Sequence, residues 1–118
     1  FGTLPSIGMV ATNGDLPTEK YCFMNPANYD FYGWEVAWNS LRDRKDAFGS
    51  VKYGVDIDRQ KNNVVIGIEF NTTERTLKYY FDGQDLGVAF TDIDMQYSYR
   101  LAISFATPGH KVELLDFQ

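Results

Sequence analysis

The stretch "TLKYYFDGQDLGVAF", residues 76–90, decides the fold. Leu77, Tyr79 and Phe81 alternate with Lys78, Tyr80 and Asp82. That period of two is the signature of a strand with one apolar face. Asp82-Gly83 then supplies two residues that tolerate positive φ, as primed turns and G1-bulged loops require. The chain returns through Leu86, Val88 and Phe90. Gly87 inside the return strand predicts a bulge or a close approach by a neighbour. Local chemistry alone therefore gives a β-hairpin.

The same alternation runs outward from this hairpin. In "VVIGIEF" (64–70), Val64, Ile66, Ile68 and Phe70 point one way and Val65, Gly67 and Glu69 the other. "FYGWEVAW" (31–38) sets Tyr32, Trp34, Val36 and Trp38 on one side. "YRLAISFA" (99–106) does the same with Leu101, Ile103 and Phe105. Strands are expected near 6–12, 19–24, 31–38, 51–56, 63–70, 75–82, 86–91, 98–106 and 110–117. Turn signals such as Asn13-Gly14, Asn25-Pro26 and Pro108-Gly109 separate them. The best helical candidate is one turn in "NSLRDRKDAF" (39–48), ended by Gly49. Many short strands without helices predict an all-β, antiparallel two-sheet sandwich or a barrel.

The 118 residues suit one domain, with no linker, repeat or low-complexity tract to divide them. The formal net charge of −5 repels phosphate backbones and anionic bilayers, so neither nucleic acid nor membrane is an expected partner. No apolar run approaches the ~20 residues that span a bilayer. Cys22 is the sole cysteine, so no internal disulfide can form. That favours a reducing, intracellular setting, the cytoplasm being the simplest. The opening on Phe1 suggests an excerpt of something longer.

Residues 64–93, "VVIGIEFNTTERTLKYYFDGQDLGVAFTDI", resemble the central signature of SPRY domains. The matching elements are Ile66-Gly67-Ile68, the strand Thr76 to Phe81, the Asp82-Gly83 turn, and Leu86-Gly87-Val88-Ala89-Phe90. "YRLAISF" (99–105), Pro108-Gly109 and "VELLDF" (112–117) fill the places of the family's closing strands. The resemblance implies a bent sandwich of two antiparallel sheets lacking one or two N-terminal strands. Its inner faces would hold Ile7, Met9, Phe23, Ile66, Ile68, Leu77, Tyr79, Phe90, Leu101 and Ile103. "VELLDF" is one residue longer than the family's pattern, which predicts a bulge near Leu115 or a strand that stops there.

Catalytic chemistry finds little support. His110 follows a Pro-Gly turn with no nucleophile motif, and Cys22 sits among large apolar residues. Two such residues do not make a zinc site. Asp56 and Asp58 share a strand face, as glycosidases use, but a solvated face has the same pattern. The expectation is no enzyme, no cofactor and no metal.

Binding signals are better. "NPANYDFYGWEVAW" (25–38) concentrates Tyr29, Phe31, Tyr32, Trp34 and Trp38 around a Pro-Asn loop. Tyr and Trp dominate interface hot spots. Trp34 and Trp38 share a face with Val36 and suit a core, whereas Tyr29 and Asp30 suit an exposed loop. The SPRY resemblance implies a partner protein or short peptide, bound by loops at one end of the sandwich. The loops are 13–18, 25–31, 40–50 and 94–98. The candidate partner-binding residues are Tyr29, Asp30, Tyr32, Trp34, Arg42 and Arg44. Two other classes stay open: a lectin-like carbohydrate binder, and a permanent architectural domain of a larger multi-subunit assembly.

Overall fold

The computed structural model describes residues 5–12, 23, 29–46, 48–54, 63–105 and 113–115. Among them run β1 (Ser6–Ala11), β2 (Phe31–Glu35), a 3-10 turn (Val36–Trp38), β3 (Ser40–Asp43) and β4 (Val51–Lys52). Then follow β5 (Ile66–Asn71), β6 (Thr76–Phe81), β7 (Gln84–Phe90) and β8 (Tyr99–Ser104). They form two antiparallel sheets, one ordered β4-β3-β2-β1-β8 and the other β5-β6-β7. The protein is an all-β two-sheet sandwich.

The hairpin that opens the sequence reading closes as its residues dictate. Phe81 pairs with Gln84 around a two-residue loop, and Asp82 and Gly83 take φ of 48° and 85°. The Asp82 carboxylate also accepts the Val65 N–H at 2.9 Å, and the Asp82 N–H donates to the Val65 carbonyl at 2.8 Å. Further along, Lys78 faces Val88 but Tyr80 faces Asp85, so Tyr79 stands against both Leu86 and Gly87. Gly87 holds φ at 88° in that bulge. A side chain there would be strained in the left-handed region, which is why glycine occupies it.

The principal core lies between the sheets. Ile7 and Met9 of β1, Trp34 of β2 and Leu41 of β3 meet Leu77, Tyr79, Phe81 and Phe90 of β6 and β7. Ile66, Ile68 and Ile103 pack partly buried against this layer. Trp34 is fully buried, with ring centroids of Tyr79, Tyr53 and Phe81 at 5.1, 5.5 and 6.3 Å. The Tyr79 hydroxyl crosses the sandwich to donate to the Ile7 carbonyl at 2.8 Å.

The larger sheet is covered on its other face too. Val10, Phe31 and Ala102 point away from the sandwich and meet Phe23 and Tyr29 in a second apolar cluster. Gly8 and Gly33, paired across β1 and β2, give that cluster a floor without side chains. A Cβ on Gly33 would lie 2.7 Å from the Phe23 ring. Phe23 therefore belongs to this outer cluster, not to the inner face. Leu101 also departs from expectation: in β8 it is 39% exposed.

Two segments differ from the sequence expectation in conformation. The helical turn expected near 39–48 is instead β3, because Leu41 pairs with Trp34 and Arg42 with Gly33. Pairing with a neighbouring strand outweighs local preference. The strand expected through residue 38 stops at Glu35, since Val36–Trp38 wind into a 3-10 turn ended by Asn39 in the left-handed region. That turn breaks the alternation and swings Trp38 into solvent. Residues 113–115 form no strand, while 19–22, 110–112 and 116–117 lie outside the described residues.

Gly8 gives the sharpest test of this packing. A Cβ there would land on the Tyr32 carbonyl oxygen and 2.7 Å from the Gly33 Cα, both backbone atoms that cannot rotate away. Gly8→Ala is expected to cost ~3 kcal/mol or more. Urea unfolding should show it as a lower midpoint with an unchanged slope.

Candidate functional site

The β3–β4 hairpin carries the surface best suited to binding. Its loop is fixed by two aspartates acting as local acceptors. The Asp43 Oδ1 accepts the N–H groups of Lys45 and Asp46 at 2.9 and 2.7 Å. Asp43 and Asp46 also exchange backbone hydrogen bonds of 3.1 and 3.2 Å. The Asp46 carboxylate in turn takes the Ser50 N–H at 3.2 Å and the Ser50 hydroxyl. These bonds hold the Asp46 carboxyl below the usual range, with the Ser50 hydroxyl the largest cause. Gly49 completes the return with φ of 74°.

On this loop and at the turn before β3, large apolar side chains face water. Phe48 is 84% exposed and Trp38 56%, and Val51 is also exposed. A cleft of about 220 Å³ opens beside Val51, lined by residues of both sheets: Leu41, Asp43, Asp46, Val51, Ala89, Phe90 and Thr91.

A tyrosine relay locks the hairpin to the smaller sheet. The Tyr53 N–H donates to the Asn39 carbonyl at 2.9 Å. Its hydroxyl donates to the Gly87 carbonyl at 2.7 Å and accepts the Tyr79 N–H at 3.3 Å. The bulge at Gly87 interrupts the ladder opposite Tyr79, and the Tyr53 hydroxyl bonds the groups beside it. Burial raises the Tyr53 pKa, so this hydroxyl remains a donor at neutral pH.

The sequence-derived candidates do not gather on one surface. Trp34 lies in the sandwich core and Tyr29 in the outer cluster at 2% exposure, so Tyr29 is not the exposed loop residue expected of it. The cause is the cover that Phe23 and Tyr29 form beside Phe31. Tyr32 is half-buried between Phe90 and Tyr99, at centroid distances of 5.2 and 5.9 Å. Its hydroxyl accepts the Asp94 N–H at 3.4 Å. Arg42 lies on the outer face of the larger sheet and pairs with Glu35 at 3.1 Å. Asp30 and Arg44 come together at the surface, 3.6 Å apart, beside the hairpin. Trp38, Phe48 and Val51 were not among the candidates. Asn39, a residue that tolerates the left-handed region, was the available sign that the strand ends before Trp38.

Among the described residues, no group of three or more His, Cys, Asp or Glu side chains could hold a metal ion. Cys22, Asp56, Asp58 and His110 lie outside the described residues, as do loop positions 13–18 and 25–28. No described helix is long and apolar enough to cross a membrane. No family model, curated protein or solved structure gives a match to the chain.

The loop 94–98 carries a pH-sensitive brace. Tyr99 donates to the Asp94 carbonyl at 2.6 Å. Burial first, then the nearby Tyr32 hydroxyl and the Asp30 and Asp94 carboxylates, raise its pKa well above that of a free phenol. The folded state thus holds this proton more tightly than the unfolded chain. Its contribution is fully present below the free-phenol value of ~10 and is lost as pH rises through the higher folded value. Urea midpoints measured from pH ~8 upward should fall once pH passes ~10. Tyr99→Phe, which cannot ionise, should lower the midpoint at pH ~8 and flatten that fall.

Proposed function

We propose that the chain is a SPRY-like, non-catalytic protein-interaction module that binds a partner protein or peptide. The working surface is the β3–β4 hairpin with its loop, rimmed by the Asp30–Arg44 ion pair. One observation supports this above the others: Phe48 stands exposed on a loop braced by side-chain hydrogen bonds, and Trp38 stands exposed at the 3-10 turn that leads into β3. Solvent-facing aromatics on a preformed base lose little conformational freedom on binding, and Trp is over-represented at interface hot spots. The two-sheet scaffold and the hairpin turn at Asp82-Gly83 also fit the SPRY pattern read from the sequence.

Two substitutions test the surface, first by folding stability and then against a partner captured by the wild-type chain. Trp38→Ala and Phe48→Ala should each change folding stability by less than about 0.5 kcal/mol, because neither side chain is buried. Each should weaken an identified partner of the parent protein ~10-fold or more, as hot-spot truncations do. Val88→Ala, at an exposed position of β7, should leave affinity unchanged. Titration of the partner by surface plasmon resonance reads all three. Unaltered binding by both aromatic variants would remove the hairpin from the interface.

A further inference from the structure

The cleft beside the hairpin has a composition that selects one kind of side chain. Its apolar lining comes from both sheets: Leu41 and Val51 from β3 and β4, Ala89 and Phe90 from β7. Asp43 and Asp46 are part of the same lining. At about 220 Å³ the space falls below the ~300 Å³ where small-molecule sites begin. It suits a single long side chain.

Four other acids of the described surface are paired with cations. Asp30, Glu35, Asp85 and Asp92 pair with Arg44, Arg42, Lys78 and Arg75. Among the described residues Asp43 and Asp46 meet no cation; their printed partners are backbone N–H groups and Ser50. Asp43 Oδ2 accepts no hydrogen bond there, although a carboxylate offers about four acceptor sites. Arg44, adjacent in sequence, is committed to Asp30. Loop hydrogen bonds hold both aspartates, so a cation would meet them already positioned.

We infer that this cleft takes an arginine side chain from an extended segment of the partner, an inference that rests on the interaction-module proposal. The aliphatic stem lies along Val51, Ala89 and Phe90, as long cationic side chains do on apolar surface. The guanidinium reaches Asp43 and Asp46, its planar fork suiting two carboxylates better than the point charge of lysine.

The probe is a valine-flanked pentapeptide with central arginine, titrated into the isotopically labelled 118-residue chain and followed by amide chemical shifts. Matched peptides carry citrulline, a neutral isostere, or lysine. The arginine peptide should shift the amides of Leu41, Val51, Ala89 and Thr91. Citrulline should weaken binding ~10-fold or more and lysine less, since charge-assisted bonds are about twice as strong as neutral ones. Asp43→Asn and Asp46→Asn keep an acceptor oxygen for the loop, so their spectra should stay folded while arginine affinity drops. Raising salt from about 50 to ~300 mM should weaken the arginine and lysine peptides and leave the citrulline peptide unchanged. Equal binding of arginine and citrulline peptides, or no shifts at these four amides up to millimolar peptide, overturns the inference. If that happens while Trp38→Ala and Phe48→Ala still abolish partner binding, the interaction module stands without its arginine. If those variants are also silent, both fail.

Discussion

The structure depends on the contact between Trp34 and Tyr79 across the two sheets. Trp34 is fully buried, with Tyr79 tilted against it at 5.1 Å. Each ring comes from a central strand of its sheet, β2 and β6. Aromatic pairs at this spacing add roughly 0.5–1.5 kcal/mol beyond the area they bury. The Tyr79 hydroxyl then fixes the two layers by bonding the Ile7 carbonyl. A purely apolar interface could slide; a directional bond from one sheet to the backbone of the other sets the position. The Trp34 indole N–H has no partner among the described residues. Leaving such a group unsatisfied costs about 1–3 kcal/mol, a cost the surrounding rings must offset.

From that contact the hairpin surface follows. Tyr53 packs edge-on to Trp34 at 5.5 Å and sends its hydroxyl to the bulge at Gly87. The β3–β4 hairpin is therefore anchored to both sheets, not only to its neighbour β2. Its loop is shaped by two aspartates that spend part of their hydrogen-bonding capacity on backbone N–H groups. This chain of contacts braces the loop that carries the exposed Phe48, and the Tyr53 N–H holds the Asn39 carbonyl next to Trp38. The outer face of the smaller sheet looks different. There Tyr80 bonds Glu69 at 3.0 Å and Lys78 bonds Asp85 at 3.2 Å, so polar groups satisfy one another.

Features set by neighbouring residues were legible in the sequence. The period of two in 66–70 and 76–81, the Asp82-Gly83 turn and the irregularity at Gly87 all depend on side chains within a few positions. Features set by distant pairing were not. "SLRD" reads as the start of a charged turn, and only Trp34 and Gly33 across the ladder make it a strand. The second apolar cluster needed Val10 and Phe31 to be read on the opposite face from Met9 and Tyr32, with two glycines between them marking a covered surface. The candidate site divides in the same way. Asp30 and Arg44 were placed at the surface and meet there. Aromatic content near residues 29–34 pointed instead to core residues, because an aromatic suits a core and an interface equally well.

The most direct test is proton–proton contact across the sandwich in solution. Nuclear Overhauser spectra of the chain should show the Trp34 indole within reach of the Tyr79 and Phe81 rings, and Ile7 close to Tyr79. Trp38 should show none of these inter-sheet contacts. Trp34 signals lacking Tyr79 and Phe81 neighbours, or Trp38 taking those contacts in its place, would contradict the two-sheet packing on which the hairpin surface is built.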